Sequence, residues 1–239
     1  MAIHVATFLG AEPLAEGTRG FRFAKPEGFA FRAGQAVNVT LLEPPETDGK
    51  GNSRTFSLVT APHEPTIAIA TRMRDTAFKR VLGSLAPGTP VKVRGPMGTF
   101  TLPDDAARPA VFLAGGIGIT PFVSMLRHEA KAGSARPRLL VYSNRRPEDA
   151  PFLDELQALA GGPFRLVATM TEMERSARAW TGERAMVDAA FLARHLPGGG
   201  PTAVHYLAGP PAMVAALRAL LKDSGVADAD IRTDEFFGY

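Results

Sequence analysis

Four short segments of the chain carry residue types that chemistry uses. In Arg54-Thr55-Phe56-Ser57 a guanidinium, hydroxyls and an aromatic ring alternate along a strand-like stretch. Arg54 and Phe56 share one face there, Thr55 and Ser57 the other. A buried strand does not turn an arginine inward without a partner, so an anion or solvent must meet it; an edge strand with a surface arginine has the same pattern. In Thr71-Arg72-Met73-Arg74-Asp75-Thr76-Ala77-Phe78 a strand runs into a helix with Asp75 or Thr76 as its cap. Two arginines stand beside the free N–H groups of that helix start, which makes an anion cradle; a capped helix with solvated charges looks alike. The third segment, Leu113-Ala114-Gly115-Gly116-Ile117-Gly118-Ile119-Thr120-Pro121, joins an apolar strand to a helix. Its glycines permit a sharp turn and close approach of a ligand to the backbone, and the helix start attracts a pyrophosphate. No Lys-Ser/Thr follows, and Pro121 stands where a GxGxxG loop has its third glycine, so alone it also fits a tight strand–helix turn. The fourth segment is the end of the chain, Asp234-Glu235-Phe236-Phe237-Gly238-Tyr239. Chain ends are usually polar and frayed; these rings either pack inward or cover something flat and apolar.

Two kinds of element must position these segments. Before residue 105 the chain is a series of short alternating stretches (HVATFLG, RGFRFA, QAVNVTLL, RTFSLVT, TIAIATR, PVKVRG) separated by Gly and Pro. That is the pattern of half-buried antiparallel strands in a small barrel or sandwich, interrupted by one helix, AFKRVLGSL. From residue 105 onward, continuous apolar runs (AVFLA, RLLVYS, FRLVATM, AVHYLA) alternate with helix-like segments, among them ERAMVDAAFLARHL and PPAMVAALRALLKDSG. This predicts a parallel sheet covered on both faces, whose ligands bind beyond the carboxyl ends of its strands. The expected organisation is an antiparallel β-barrel over 1–104 and an α/β domain over 105–239. Two turns flank these elements, Gly95-Pro96-Met97-Gly98-Thr99-Phe100 and Ala208-Gly209-Pro210-Pro211.

The chain has 239 residues, enough for two domains with cores of their own. It contains no cysteine, which excludes disulfides and any cysteine-ligated iron–sulfur cluster on this chain. Its five histidines are scattered without ligand spacing, so no metal site is expected. A net charge of +3 is too small for nucleic acid but suits an acidic partner or phosphate-bearing cofactors. No apolar run is long enough to span a bilayer, and the N-terminus lacks a signal-peptide pattern, so a cytoplasmic location is expected.

Taken in order, these segments resemble the ferredoxin–NADP reductase family. Arg54-Thr55-Phe56-Ser57 is similar to its Arg-x-Tyr/Phe-Ser flavin motif, Gly95–Phe100 to its Gly-Pro-x-Gly-x-Phe turn, and Leu113–Pro121 to its nicotinamide-domain loop. Trp180-Thr181-Gly182 falls where members carry Trp-x-Gly, Ala208–Pro211 resembles Cys/Ala-Gly-Pro-Pro, and the aromatic end resembles the family's flavin-covering residue. The resemblance implies FAD in the barrel and NADPH or NADH on the α/β half. By it, Arg54 meets flavin phosphate, Phe56 lies against the isoalloxazine and Ser57 bonds near N5. Thr71, Met73 and Arg74 contact the flavin, Thr76 and Ala77 its pyrophosphate. Gly116 and Thr120 bind the dinucleotide, while Gly209 and Pro210 border the nicotinamide. Aligning Glu235-Phe236-Phe237 with the family's Glu-x-Tyr makes Glu235 a catalytic residue and Phe237 the stacking ring; Tyr239 is the alternative ring. Ala208 replaces a cysteine that many members carry.

Hydride transfer requires the nicotinamide and flavin to meet at about 3–3.5 Å, and the protein supplies that alignment. An arginine after the second strand of such a domain accommodates a 2′-phosphate, whereas an acid there binds the ribose diol. Ser143, Arg145 and Arg146 therefore favour NADPH over NADH; pairing of the arginines with Glu148 or Asp149 is the other reading. With no cluster on the chain, the electrons go to a separate acceptor: a ferredoxin or flavodoxin, an oxygenase component, a free flavin or a ferric chelate, the basic balance favouring an acidic carrier protein. The competing function is a flavin- and nucleotide-binding relay or sensing subunit without turnover of its own.

Overall fold

The computed structural model describes residues 2–196 and 202–237, and within them the chain forms two sheets. The first is antiparallel and six-stranded: β1 (Ala2–Ala15), β2 (Thr18–Ala24), β3 (Ala36–Leu41), β4 (Ser53–Ser57), β5 (Thr66–Arg72) and β6 (Pro90–Met97), in the order β4-β3-β6-β1-β2-β5. Alternation decides what faces in. Val37, Val39 and Leu41 of β3 are buried with Phe8, Phe21, Phe23, Ile67, Val91 and Val93, while Asn38 and Thr40 point outward. The two outer strands meet just past β4, where the Val59 N–H donates to the Ala68 carbonyl at 2.8 Å. The Ala68 N–H donates in turn to Thr60 Oγ1 at 3.2 Å. Closure into a barrel removes part of the open edge that a six-stranded sheet would expose. Helix α1 (Ala77–Ser84) buries Phe78, Val81 and Leu82 against this core, and its cap is Thr76, which accepts from the Lys79 N–H. Asp75 pairs instead with Arg80.

The second sheet is parallel throughout: β7 (Ala110–Gly115), β8 (Arg138–Asn144), β9 (Phe164–Met170), β10 (Val204–Gly209) and β11 (Ile231–Glu235), in the order β11-β10-β7-β8-β9. Its apolar runs divide between two cores by residue parity. Phe112, Leu140, Tyr142 and Tyr206 face α2 (Thr120–Lys131) and α3 (Leu153–Leu159). Val111, Leu113, Val141 and Leu207 face α4 (Ala189–His195) and α5 (Pro211–Asp223). Burial on both faces is why the strands read as unbroken apolar stretches.

The structure departs from the sequence pattern in two places. Residues 183–188 do not join the helix expected there. α4 begins only after Asp188, whose carboxylate accepts from the Phe191 N–H at 2.7 Å, while the Glu183 carbonyl accepts from Met170 at the end of β9. The other departure is β11. Its sequence, IRTDE, buries only Ile231, too little apolar signal to read as a strand; one edge partner, β10, suffices to form it.

Buried contacts fix the two sheets to each other. Phe100 sits 5.7 Å from Phe122 and edge-on to Tyr206 at 5.4 Å. The Tyr206 hydroxyl donates to the Thr101 carbonyl at 3.0 Å, and Ser124 Oγ donates to the Thr60 carbonyl at 2.7 Å. Burial pushes the Tyr206 phenol up to about 12, which keeps it a donor across the ordinary pH range. The connecting stretch is held by Arg136. Its buried guanidinium donates to the carbonyls of Pro103 (2.9 Å), Asp105 (2.9 Å) and Arg108 (2.7 Å), and Glu129 balances its charge at 3.3 Å. Arg136→Met strands those carbonyls and should lower stability by about 3 kcal/mol. Urea unfolding measures this, and an unchanged midpoint would show that the connection is held by other contacts.

Candidate functional site

A cleft of about 830 Å³ opens where the two sheets meet. The barrel lines it with Arg54, Thr55, Phe56 and Ser57 of β4, Thr71 and Arg72 of β5, and Arg74, Thr76 and Lys79 around the start of α1. The α/β half contributes Ile117 and Asp234–Phe237. As the end strand of the sheet order, β4 can show the cleft both of its faces, so residues of both parities reach it.

Five cationic residues, Lys50, Arg54, Arg72, Arg74 and Lys79, line this cleft. Lys79 Nζ donates to the Arg72 carbonyl at 2.6 Å, and burial beside Arg74 and Arg54 pulls its pKa down to about 8. Arg72 Nε is buried without a hydrogen-bond partner. A depressed lysine and an orphaned guanidinium nitrogen beside the N-terminus of α1 are the marks of a seat for a phosphate-type anion. Arg54 is differently employed. Its Nη2 meets Asp48 at 2.9 Å, and Nη1 donates to the carbonyls of Lys50, Gly51 and Ser53 at 2.8–2.9 Å. The guanidinium thus fastens residues 48–53 as one wall of the cleft and lies 5.1 Å over the Phe78 ring.

Of the residues expected to touch a flavin, Arg54, Phe56, Ser57, Thr71, Arg74, Thr76 and Phe237 line the cleft. Met73 packs against the barrel core, its N–H donating to the Gly17 carbonyl, and Ala77 is buried under the helix start. The two acidic residues of β11 take different roles. Asp234, which the sequence reading passed over, accepts from Ser57 Oγ at 3.3 Å across the junction. Burial raises its carboxyl pKa, and the Ser57 hydrogen bond opposes that in part. Glu235, the acid that the resemblance makes catalytic, is exposed on the rim. The parity of β11 sends the two carboxylates to opposite faces, a signal hidden until β11 is known to be a strand. Phe237 is 80% exposed at the cleft mouth, and Tyr239 lies outside the described residues.

Beside the cleft, the glycine-rich turn packs on the Ala208–Pro211 turn. Gly116 takes φ +54°, and a Cβ on Gly118 would lie 2.3 Å from the Ala208 carbonyl oxygen and 2.6 Å from the Gly209 nitrogen. The Phe236 N–H donates to the Gly209 carbonyl at 3.0 Å, tying the C-terminal strand to the same turn, and Pro210 precedes α5. Thr120 is buried with its hydroxyl on the Ile117 carbonyl at 3.2 Å, so its side chain shapes the turn. Ser143, the penultimate residue of β8, lies opposite Gly115. Arg145 is largely exposed, 3.4 Å from Glu172, which also binds Arg175 at 2.7 Å. Arg146 spends its guanidinium on Asp149 at 2.9 Å and on Glu16 of the barrel at 2.8 Å. Arg175 and Glu172 lie past the end of β9, outside every motif read from the sequence. Trp180 donates to the Glu183 carbonyl at 2.8 Å and is a packing residue. Among the described residues no group of three acidic or histidine side chains could hold a metal, and no helix is long and apolar enough to cross a membrane.

Comparison with known proteins adds an independent line. A family model described as an oxidoreductase NAD-binding domain matches residues 112–219. The chain is 33% identical to ferredoxin–NADP reductase B of Sorangium cellulosum over 240 residues, which is 97% of this chain and 96% of that protein. It is 30% identical to the reductase component of propane 2-monooxygenase from Mycolicibacterium goodii, matching 95% of this chain but 66% of the relative. Among solved structures, the Amycolatopsis cytochrome P450 reductase GcoB superposes with a TM-score of 0.81 at 26% identity, over 98% of this chain and 70% of that one. A ferredoxin NADP+ reductase from Neisseria gonorrhoeae with bound FAD and NADP shares the fold with a TM-score of 0.81 at 22% identity, over 98% and 99%.

The contact at Gly118 leaves no room for a side chain. Gly118→Ala should cost about 1–3 kcal/mol of stability by overpacking. By parting the two turns it should also raise the KM for the nicotinamide dinucleotide roughly tenfold, about 1.4 kcal/mol. Unfolding curves and initial rates check this; a variant with unaltered KM would remove these turns from the binding site.

Proposed function

The chain belongs to the ferredoxin–NADP reductase family, and from that premise we propose that it is a FAD-dependent reductase taking hydride from NADPH or NADH and passing electrons singly to a separate ferredoxin, flavodoxin or oxygenase component. The observation that carries this reading is a cleft lined by an anion seat and an aromatic strand from one sheet and by the C-terminal strand of the other. FAD, when bound, accepts a hydride as a pair and releases electrons one at a time. Lys79, Arg72, Arg74, Thr76 and the N-terminus of α1 hold its phosphates, with residues 1–104 forming the flavin half and 105–239 the dinucleotide half. Phe56 and Phe237 border the ring system. Ser57 is the hydroxyl placed to exchange a hydrogen bond with it, and Asp234 orients that hydroxyl and holds a proton more firmly than an ordinary carboxyl. Gly116, Gly118, Gly209 and Pro210 form the dinucleotide shelf.

On nucleotide choice the arginines divide. Arg146 is committed to Asp149 and Glu16, so Arg145, with Arg175, is the cation able to receive a 2′-phosphate in place of Glu172. Arg145→Ala should raise the KM for NADPH at least about fivefold, near 1 kcal/mol, and leave that for NADH within error. Equal changes for both nucleotides would remove the phosphate role.

Lys79 adds a pH dependence. Its charge is present below about pH 8 and lost above it, so FAD affinity should fall as pH rises through 8. Lys79→Met should weaken FAD binding to the apoprotein and flatten that profile, measured by quenching of FAD fluorescence; a parallel profile in the variant would assign the titration elsewhere. The reaction itself is tested by reconstituting the protein with FAD and supplying NADPH and ferricyanide. Two ferricyanide ions should be reduced per NADPH oxidised. Turnover no faster than free FAD would reject the proposal.

A further inference from the structure

Six large apolar side chains are exposed among the described residues, and three of them, Ile3 (65%), Val5 (63%) and Leu9 (44%), lie on the outward parity of β1. The register of the barrel shows what they border. Ile3 pairs with Arg94 of β6, Arg94 with Asn38 of β3, and Asn38 with Thr55 of β4. The next row runs Val5, Lys92, Thr40, Ser53 in the same way. Paired residues of an antiparallel sheet face the same side, so these eight side chains form one continuous outer surface. It is apolar at β1, cationic at β6 and uncharged at β3 and β4. No carboxylate stands in either row, and neither Lys92 nor Arg94 makes an ion pair among the described residues. At its far end Thr55 lines the cleft itself. Three strand spacings, roughly 14 Å, separate the apolar stripe from the cleft wall.

We infer that this face of the barrel, with Ile3 and Val5 as its apolar centre and Lys92 and Arg94 as its cationic side, is the docking surface for an acidic one-electron carrier protein. The inference rests on the reductase reading above and adds where the acceptor sits. Charge complementarity is the ground for the choice of occupant. Two unpaired cations beside exposed apolar side chains fit a partner whose carboxylates surround an apolar patch, and they repel a second copy of this surface. Approach over Thr55 also brings the carrier to the cleft along the barrel, leaving the dinucleotide turns on the other sheet open.

The test uses the full-length protein reconstituted with FAD, NADPH as donor, and a purified acidic [2Fe–2S] ferredoxin and an acidic flavodoxin as probes, with ferricyanide as the small acceptor. Lys92→Glu/Arg94→Glu should raise the KM for the carrier about tenfold or more at low salt and reduce its dependence on ionic strength. Ile3→Thr/Val5→Thr, which keeps strand-forming residues, should raise that KM about threefold or more. Ferricyanide turnover and the urea midpoint should stay unchanged in both variants. Carrier KM values equal to the parent's would overturn the inference. So would failure of the parent to reduce either carrier while ferricyanide is still turned over. A concentration-dependent dimer abolished by Ile3→Thr/Val5→Thr would assign the face to self-association and overturn it as well. Absence of ferricyanide turnover in the parent would instead bring down the reductase reading on which the inference stands.

Discussion

The contact that the rest of this molecule depends on is the buried junction between its two sheets. A flat redox cofactor and a dinucleotide exchange hydride only if the surfaces holding them keep a fixed spacing. Here the spacing is set by Phe100 wedged against Phe122 and Tyr206, by the Tyr206 and Ser124 hydroxyls on carbonyls of the opposite half, and by Arg136 binding the connecting stretch. One apolar core runs through the junction, from Ala33, Val59 and Ala70 of the barrel to the helices over β7 and β8. The cleft between the two halves is thus framed by the fold itself.

From that junction the placement of the chemistry follows. The cleft lies at the carboxyl ends of the parallel strands, where open α/β sheets bind ligands, and at the rim of the barrel where β4 ends its sheet. β11 links the two. It is hydrogen-bonded to β10 along its length, its Asp234 reaches Ser57, and its continuation carries Phe237 over the opening. The same strand also ties Phe236 to the Gly209 turn, so the aromatic end, the two glycine-bearing turns and the barrel hydroxyl form one assembly.

Much of this could be read from residues alone, for identifiable reasons. Every strand except β11 is legible, because alternation and unbroken apolar runs report burial on one face and on two. The glycine turn was legible because only glycine tolerates the approach seen at Gly118. What escaped the pattern depends on partners remote in sequence. β11 exists because β10 lies beside it, and IRTDE announces nothing by itself. Asp234 was passed over for its neighbour Glu235, since which of two adjacent acids faces inward is fixed by strand parity. Arg54 and Arg146 have the residue type of phosphate ligands, yet their guanidinium groups are engaged by Asp48 and Asp149. Lys79 drew no attention in sequence because its chemistry comes from burial among cations, which no local motif encodes.

The central claim, that the cleft between the sheets holds a flavin within reach of a nicotinamide, is met most directly by one spectrum. The purified chain, incubated with FAD and freed of excess by gel filtration, should keep the yellow flavin bands. Anaerobic addition of NADPH should bleach them at once. A protein that emerges colourless after reconstitution, or keeps its colour unchanged under excess NADPH and NADH, would contradict the account.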